Sequence, residues 1–200
     1  TYFNNKISPD YETNVQQIIY ENIDGHAISQ GGSFDLSVNF SIPLNIKLGA
    51  TFIDVYEMNN DENGNLKREK QLLTEEVSGT YSVTYKFEKA KIKIDYTGNL
   101  YGPMKLPVVV NDIRPEYSNW YSIQNIQLTK TFKKRWEIYG GVKNLLNFTP
   151  PKNSILRAND PFDKNVNSPD NPNGHTFDPS YVYATFQGVR GFFGVRYTLK

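Results

Sequence analysis

Phe192-Phe193-Gly194-Val195-Arg196-Tyr197-Thr198-Leu199-Lys200 ends this 200-residue sequence, and its side chains alternate between apolar and polar or small types. Successive side chains of a strand point to opposite faces, so every second residue of this stretch shares a face. The apolar face would carry Phe193, Val195, Tyr197 and Leu199. No helical segment follows to cover that face. The stretch therefore predicts the closing strand of a barrel.

Earlier stretches repeat the alternation in pairs. Residues 34–42 and 44–52 form one pair, and residues 77–87 and 92–100 form another. Residues 120–132 and 136–142 give a third pair, with a less regular pattern in the first member. Alternation of this kind over strand-length segments predicts antiparallel hairpins. With a strand in residues 1–7, which would continue into a polar turn at 8–10, the sequence predicts about eight strands and no helix.

The connections between these strands differ in length on the two sides. Turns of two or three residues are expected near residue 43, at 88–90 and at 133–135. The other connections are long and polar or proline-rich, at 59–76, 102–118 and 148–181. Short turns on one side and long loops on the other are typical of outer-membrane barrels.

Alternation does not by itself say which face meets lipid, because a soluble lipocalin-type barrel turns its apolar face inward. Aromatic residues near the strand ends favour the membrane, since they would form two interfacial girdles. The expected members are Phe40, Phe87, Phe132, Trp136 and Tyr197 by the short turns, and Tyr56, Tyr101, Trp120 and Phe148 by the long loops. The other face mixes hydroxyl, amide and charged side chains, which suits a wet or plugged lumen.

The composition excludes several functions. The 22 basic and 21 acidic residues nearly balance and form no long block, so charge does not indicate a nucleic-acid partner. The absence of cysteine excludes disulfides, thiolate metal sites and cysteine nucleophiles. No apolar run is long enough for a spanning helix.

Three motifs in the last sixty residues carry a family resemblance. They are Asn144-Leu145-Leu146-Asn147, Gln187-Gly188-Val189-Arg190 and the closing strand. In this order they resemble the carboxy-terminal end of TonB-dependent outer-membrane receptors. With Tyr101-Gly102-Pro103 after a strand, the sequence looks most like members from Bacteroidetes-type bacteria. Two features depart from the family: the sequence ends in Leu199-Lys200 where an aromatic residue is common, and Phe192 stands where a polar residue is usual.

The resemblance implies a fold and a domain organisation. The fold class would be all-β, an antiparallel transmembrane β-barrel, and the chain would supply about the last eight strands of a barrel of the 22-strand type. Residues 1–200 would then be the carboxy-terminal segment of one barrel domain, with the plug domain and the earlier strands outside this chain. The alternative is a complete small eight-stranded outer-membrane barrel that acts as an adhesin or anchor. A soluble lipocalin-like binder is a third possibility.

The resemblance also implies a function: energised uptake of a scarce nutrient such as an iron chelate, a cobalamin or a glycan. The expected partners are the missing strands and plug, the TonB complex acting through the plug, outer-membrane lipid and a surface lipoprotein. The carboxy terminus would lie on the periplasmic side.

Candidate ligand contacts combine hydrogen bonding with aromatic surface in the long loops and the adjoining lumen. They are Arg114, Tyr117, Trp120, Arg157, Asp160 and Tyr181. Arg190 and Arg196 are expected to point into the lumen, where they could contact the plug or simply fill space. No grouping of residues indicates catalysis or a cofactor. His26 and His175 lack metal-ligand spacing, and the calcium-like run from Asn59 has Lys70 where a chelating glutamate would be needed.

Overall fold

The computed structural model describes residues 1–10, 18–60, 64–108, 114–132, 135–151, 154–156, 183–185 and 187–199. Within them, the chain forms eleven β-strands. They are β1 (Tyr2–Asn4), β2 (Ile7–Asp10), β3 (Ile19–Asn22), β4 (Gly25–Asn39), β5 (Leu44–Asn60), β6 (Leu66–Lys70), β7 (Val77–Phe87), β8 (Ile92–Tyr101), β9 (Tyr121–Phe132), β10 (Trp136–Lys143) and β11 (Arg190–Tyr197). None of the described segments contains a helix long and apolar enough to cross a membrane.

The main sheet is antiparallel and follows the order β1-β4-β5-β7-β8-β9-β10-β11. This path of eight strands confirms the predicted all-β fold and the predicted hairpins. β6 pairs with the far end of β5, and β2 and β3 form a separate two-stranded ribbon. Among the described residues, β1 pairs only with β4 and β11 only with β10, so both edges of the sheet are open.

The pairing register sorts the side chains of the sheet into two faces. One row of directly paired residues is Val38, Ile46, Val83, Tyr96, Ile126 and Val142. The adjacent row, which points the other way, is Ser37, Lys47, Ser82, Thr97 and Asn125. We refer to these two sides as the apolar face and the polar face. Because the alternation keeps register across the sheet, each face is continuous from β4 to β9.

Large side chains on the apolar face are exposed. Phe193 on the closing strand is 74% exposed. Others are Phe34, Leu36, Leu48, Phe52, Leu100, Leu128, Ile138 and Val195. A contiguous apolar surface of this extent needs an apolar environment, because soluble monomers rarely expose one.

The short-turn end of the apolar face carries the predicted aromatic girdle. Phe40, Phe87, Phe132, Trp136 and Tyr197 are between 43% and 48% exposed. Phe132, Trp136 and Tyr197 lie in one paired row, and the last two rings are 4.6 Å apart.

The prediction of an aromatic girdle at the long-loop end is wrong for Tyr101 and Phe148. Tyr101 pairs with Tyr121 on the polar face, and their rings stack 4.6 Å apart. Phe148 stacks on the same Tyr121 ring. The strand alternation explains the error for Tyr101, since Leu100 before it already lies on the apolar face.

Three local expectations also need correction. Ser8, Pro9 and Asp10 were expected in a turn but belong to β2. The polar excursion 59–76 contains the end of β5 and all of β6, which together form a hairpin beyond the main sheet. The connections from β4 to β5 and from β7 to β8 each leave four residues outside the strands, so they are longer than expected.

Candidate functional site

A cluster of buried apolar residues lies at the long-loop end, on the polar face of the sheet. Met104, Leu106, Ile155 and Leu156 are at most 2% exposed and pack with Tyr121. We call this group the loop core. Met104 and Leu106 therefore lie over the polar face of the sheet, since they pack with Tyr121 instead of facing solvent. Neither their spacing nor any motif in the sequence indicated this cluster.

A short ladder holds the loop between β8 and β9 in place. The Leu106 N–H donates to the Glu116 carbonyl at 2.8 Å, and the Ser118 N–H donates to the Met104 carbonyl at 3.0 Å. The Ser118 hydroxyl accepts from the Met104 N–H, also at 3.0 Å. This ladder fixes the position of the predicted contact residue Tyr117, which pairs with Lys105.

The motif Asn144-Leu145-Leu146-Asn147 forms a polar clamp between the two ends of the longest loop. Asn144 is 2% exposed, and its side-chain oxygen accepts from the Phe148 N–H at 2.9 Å. Its amide group donates to the carbonyls of Phe148 at 2.8 Å and Gln187 at 3.3 Å. Asn147 accepts from the Val189 N–H at 3.0 Å. The clamp thus joins two of the motifs that carry the family resemblance.

Backbone conformation explains the asparagines of this clamp. Asn144 has φ 52° and Asn147 has φ 54°. This left-handed region is unfavourable for most side chains, and asparagine is several-fold enriched there because its short amide bonds to nearby backbone.

A cavity of about 700 Å³ opens beside the loop core. Its walls come from the β2–β3 ribbon, the β5–β6 hairpin and residues 105–108, with Arg114 and Glu116 from the adjoining loop. We call it the loop-end cavity. Its volume falls in the range of sites for small organic ligands.

A polar cluster ties the ribbon to β5 at the wall of this cavity. The Lys6 ammonium lies 2.7 Å from Glu57 Oε1, which also accepts from the Ser8 hydroxyl at 3.0 Å. Lys6 also donates to the Gln71 side chain. The Glu57 side chain is only 10% exposed, so these bonds compensate for the loss of water around its charge.

Lys70 also lines the cavity, at the end of β6. It forms a hydrogen-bonded ion pair with Glu76. This hydrogen bond raises the pKa of the Lys70 ammonium above its usual value, so the group stays protonated at neutral pH. Its ammonium also lies 5.8 Å from the centre of the Tyr117 ring.

The structure separates the predicted ligand contacts. Arg114 lines the loop-end cavity, and Tyr117 contacts Lys70 at its edge. Trp120 does not line the cavity. It is 52% exposed and lies beside Gly102, close to Val77. Val77 pairs with Phe52 on the apolar face. Arg157, Asp160 and Tyr181 lie outside the described residues.

Arg190 and Arg196 both lie on the polar face. Arg196 forms a cross-strand ion pair with Glu137 at 2.9 Å, and Arg190 donates to the Gln187 side chain at 2.8 Å. Phe192 shares this face, so an aromatic ring lies among polar side chains at the position where the family pattern has a polar residue. A β-carbon at residue 141 would lie 2.7 Å from the Phe192 ring, so Gly141 makes room for the aromatic side chain.

Sequence reasoning missed the acidic residues of the β2–β3 ribbon. Asp10, Glu21 and Asp24 line the loop-end cavity. The only signal was their concentration in the short segment 10–24, which has no strong alternation. Glu21 and Asp24 are exposed and form no ion pair with a described cation. Their carboxylates are therefore accessible from the cavity.

No family model matches this sequence, and no curated protein matches it. Solved structures do match its fold. The ferripyoverdine receptor FpvA of P. aeruginosa, in a complex with iron and a heterologous pyoverdine, superposes with a TM-score of 0.61 at 15% identity, covering 98% of this chain and 23% of the receptor. The ferric-catecholate import receptor Fiu of E. coli K12 gives 0.60 at 14% identity, covering 98% and 24%. The P. aeruginosa ferric enterobactin receptor PfeA, as the R480A mutant with enterobactin, gives 0.59 at 15% identity, covering 97% and 27%.

These proteins are TonB-dependent outer-membrane receptors, and the matched region is their barrel. The fold of this chain is therefore that of part of such a receptor barrel, as the family resemblance implied. The chain spans about a quarter of the length of each of these receptors.

Proposed function

We propose that this chain is the carboxy-terminal barrel segment of a TonB-dependent receptor in the outer membrane of a Gram-negative, Bacteroidetes-type bacterium. The receptor would take up a scarce nutrient such as an iron chelate, a cobalamin or a glycan. The observation that carries the proposal is the continuous, exposed apolar face, bounded at the short-turn end by five exposed aromatic residues. An outer-membrane barrel presents such a band to lipid and its polar face to the lumen.

The orientation follows from the connections. Outer-membrane barrels place short turns in the periplasm and long loops outside the cell. The short turns after β4, β7 and β9 would therefore face the periplasm, together with the carboxy terminus after β11. The loop core and the loop-end cavity would then lie on the extracellular side, where a nutrient arrives.

The open edges of the sheet support a larger barrel. Unpaired backbone groups cannot be left in lipid, because water is absent there. β1 and β11 would each pair with a strand of the missing part of the barrel, and a plug would fill the lumen and couple it to the TonB complex. A complete eight-stranded barrel would need β1 and β11 to pair with each other, and among the described residues they do not.

The apolar face also argues against a soluble lipocalin-like binder. In that fold the side chains of Phe193, Leu128 and Leu48 would be packed inside the barrel, whereas each is more than 45% exposed. We assign no catalytic role to the chain, and we propose lipid, the plug and a surface lipoprotein as its partners.

An uptake assay tests this function. Cells that express the natural protein containing this chain are given ⁵⁵Fe-loaded siderophores, ⁵⁷Co-cobalamin or labelled oligosaccharides. We expect accumulation of one of these probes, and loss of accumulation when the TonB complex is deleted or the proton gradient is collapsed. Accumulation that persists without TonB would refute energised uptake, and recovery of the protein in the soluble fraction would refute the barrel.

A further inference from the structure

We infer that the short-turn end of the apolar face binds the headgroup of an anionic phospholipid. This inference rests on the proposed outer-membrane barrel and names a lipid class that the barrel holds at its periplasmic rim. It comes from a lysine within the apolar face, from the turn that its ammonium reaches and from the side of the sheet on which the nearby acids lie.

Lys130 is a charged residue within an otherwise apolar surface. It pairs directly with Ile92 on β8 and with Ile138 on β10. Leu128 and Phe132 flank it on the same face of β9. Within the bounds of the described strands β7 to β11, it is the one charged residue on this face. A charge that faces lipid is unfavourable, so this ammonium needs polar groups at the membrane surface.

The Lys130 side chain extends out of the apolar face towards the adjoining turn. Its ammonium lies 5.7 Å from the centre of the Phe132 ring and donates to the Ala90 carbonyl in the turn between β7 and β8. Lysines near the ends of membrane-spanning segments extend in this way, which places the charge at the level of the lipid headgroups. An ammonium has three donors, so the bond to Ala90 leaves donors for a phosphate oxygen.

Further cations lie in the turns beside this ammonium. Lys89 directly precedes Ala90, and Arg135 is in the turn between β9 and β10. Both side chains are exposed. Because the Lys130 ammonium contacts the first of these turns, Lys89 can contribute to the same headgroup site.

The nearby carboxylates lie on the polar face. Asp95 is 2.8 Å from the Lys93 ammonium, and Glu137 is 2.9 Å from Arg196, so both acids are paired there. Glu88, in the same turn as Lys89, lines a cavity on the polar face. Among the described residues, no carboxylate forms an ion pair with Lys130. The lipid-facing side of this rim is therefore positively charged, which favours an anion.

The surface around Lys130 favours a lipid over a free anion. Phe87, Phe132 and Trp136 are between 43% and 48% exposed beside it, and the apolar band continues from them along the strands. Acyl chains can cover this band while the phosphate meets the ammonium. A zwitterionic headgroup carries its own cation and gains less from the basic rim, so we assign the site to a lipid with a net negative charge.

Native mass spectrometry of the natural protein in detergent micelles tests the inference. Dioleoylphosphatidylglycerol is the anionic probe, and dioleoylphosphatidylcholine has the same acyl chains with a zwitterionic headgroup. The variant K89Q/K130Q removes two charges of the rim. The matched control is K47Q/K86Q, because Lys47 and Lys86 are exposed lysines of the polar face.

We expect the wild-type protein to prefer the anionic lipid and K89Q/K130Q to lower that preference about five- to 25-fold, from roughly fivefold for each charge at a membrane surface. K47Q/K86Q and the charge-conserving variant K130R should both bind like wild type. Added salt should weaken binding of the anionic lipid to wild type.

Equal losses in the two double variants would mean attraction by net charge alone and would overturn the inference. Equal binding of both lipids to wild type, or displacement of the anionic lipid by equimolar glycerol phosphate, would also overturn it. These outcomes leave the receptor function standing if TonB-dependent uptake is observed. Conversely, the expected lipid preference without such uptake would refute the receptor function alone.

Discussion

Replacement of Asn144 by alanine should loosen the clamp at the end of the longest loop. The change leaves the Phe148 N–H without its acceptor and removes the donor to two carbonyls. A buried polar group left without a partner costs about 1–3 kcal/mol. The φ of 52° adds a smaller penalty, because alanine tolerates that region less well than asparagine. We expect the local opening free energy of this segment to fall by about 2–3 kcal/mol.

Hydrogen exchange measured by mass spectrometry reads out this opening directly. A loss of 2–3 kcal/mol corresponds to exchange about 30- to 150-fold faster in peptides that cover residues 145–149. Asn144→Gly is the matched variant, since glycine accepts the positive φ and lacks only the side-chain bonds. It should also exchange faster than wild type, but less so than Asn144→Ala. Unchanged exchange in both variants would refute the clamp.

Two further substitutions test the sheet. Val83→Arg on the apolar face should destabilise the folded protein in lipid vesicles by about 2–4 kcal/mol, whereas Ser82→Arg on the polar face should have little effect. Urea titrations measure both free energies of unfolding, and equal losses would contradict the assignment of faces. Gly31→Ala places a methyl group 2.3 Å from the Phe52 carbonyl oxygen, while the neighbouring Gly32 has no atom within 4 Å of that position. Gly31→Ala should therefore lower the free energy of unfolding by roughly 1–3 kcal/mol, and Gly32→Ala should behave like wild type. A larger loss in Gly32→Ala than in Gly31→Ala would refute the register of β4 and β5.

The strands of the main sheet could be predicted because one face of the sheet carries apolar side chains and the other carries polar ones. Strand β7 alternates from Val77 to Phe87 without a break, and the structure pairs it with β5 and β8 as expected. A one-residue slip would place Ser82 and Thr84 on the apolar face, so the pattern fixes the register as well as the strand.

The structures beyond the main sheet could not be predicted in the same way. Strand β6 reads Leu66-Lys67-Arg68-Glu69-Lys70, and no alternation marks it, because four of its five residues are exposed and neither face needs apolar side chains. Its stability comes from cross-strand contacts, such as the Arg68–Asp54 ion pair at 2.6 Å. Sequence spacing does not indicate such contacts.

The candidate site was only partly predictable for a similar reason. Arg114 and Tyr117 were chosen as hydrogen-bonding and aromatic residues of a long loop, and both lie at or beside the loop-end cavity. The carboxylates that dominate its charge come from the β2–β3 ribbon and from Glu57, which is 51 residues from its partner Lys6. Contacts over such separations depend on the folded sheet.

The most direct test of the account is the environment of consecutive side chains on β7 in a lipid bilayer. Because this chain has no cysteine, single cysteines at residues 81–84 can carry nitroxide labels in a cysteine-free form of the natural protein. We predict that labels at 81 and 83 collide mainly with oxygen dissolved in lipid, and that labels at 82 and 84 are more accessible to a water-soluble nickel chelate. If residues 81 and 83 were instead shielded from lipid while 82 and 84 faced it, or if the alternation were absent, the membrane barrel would be contradicted.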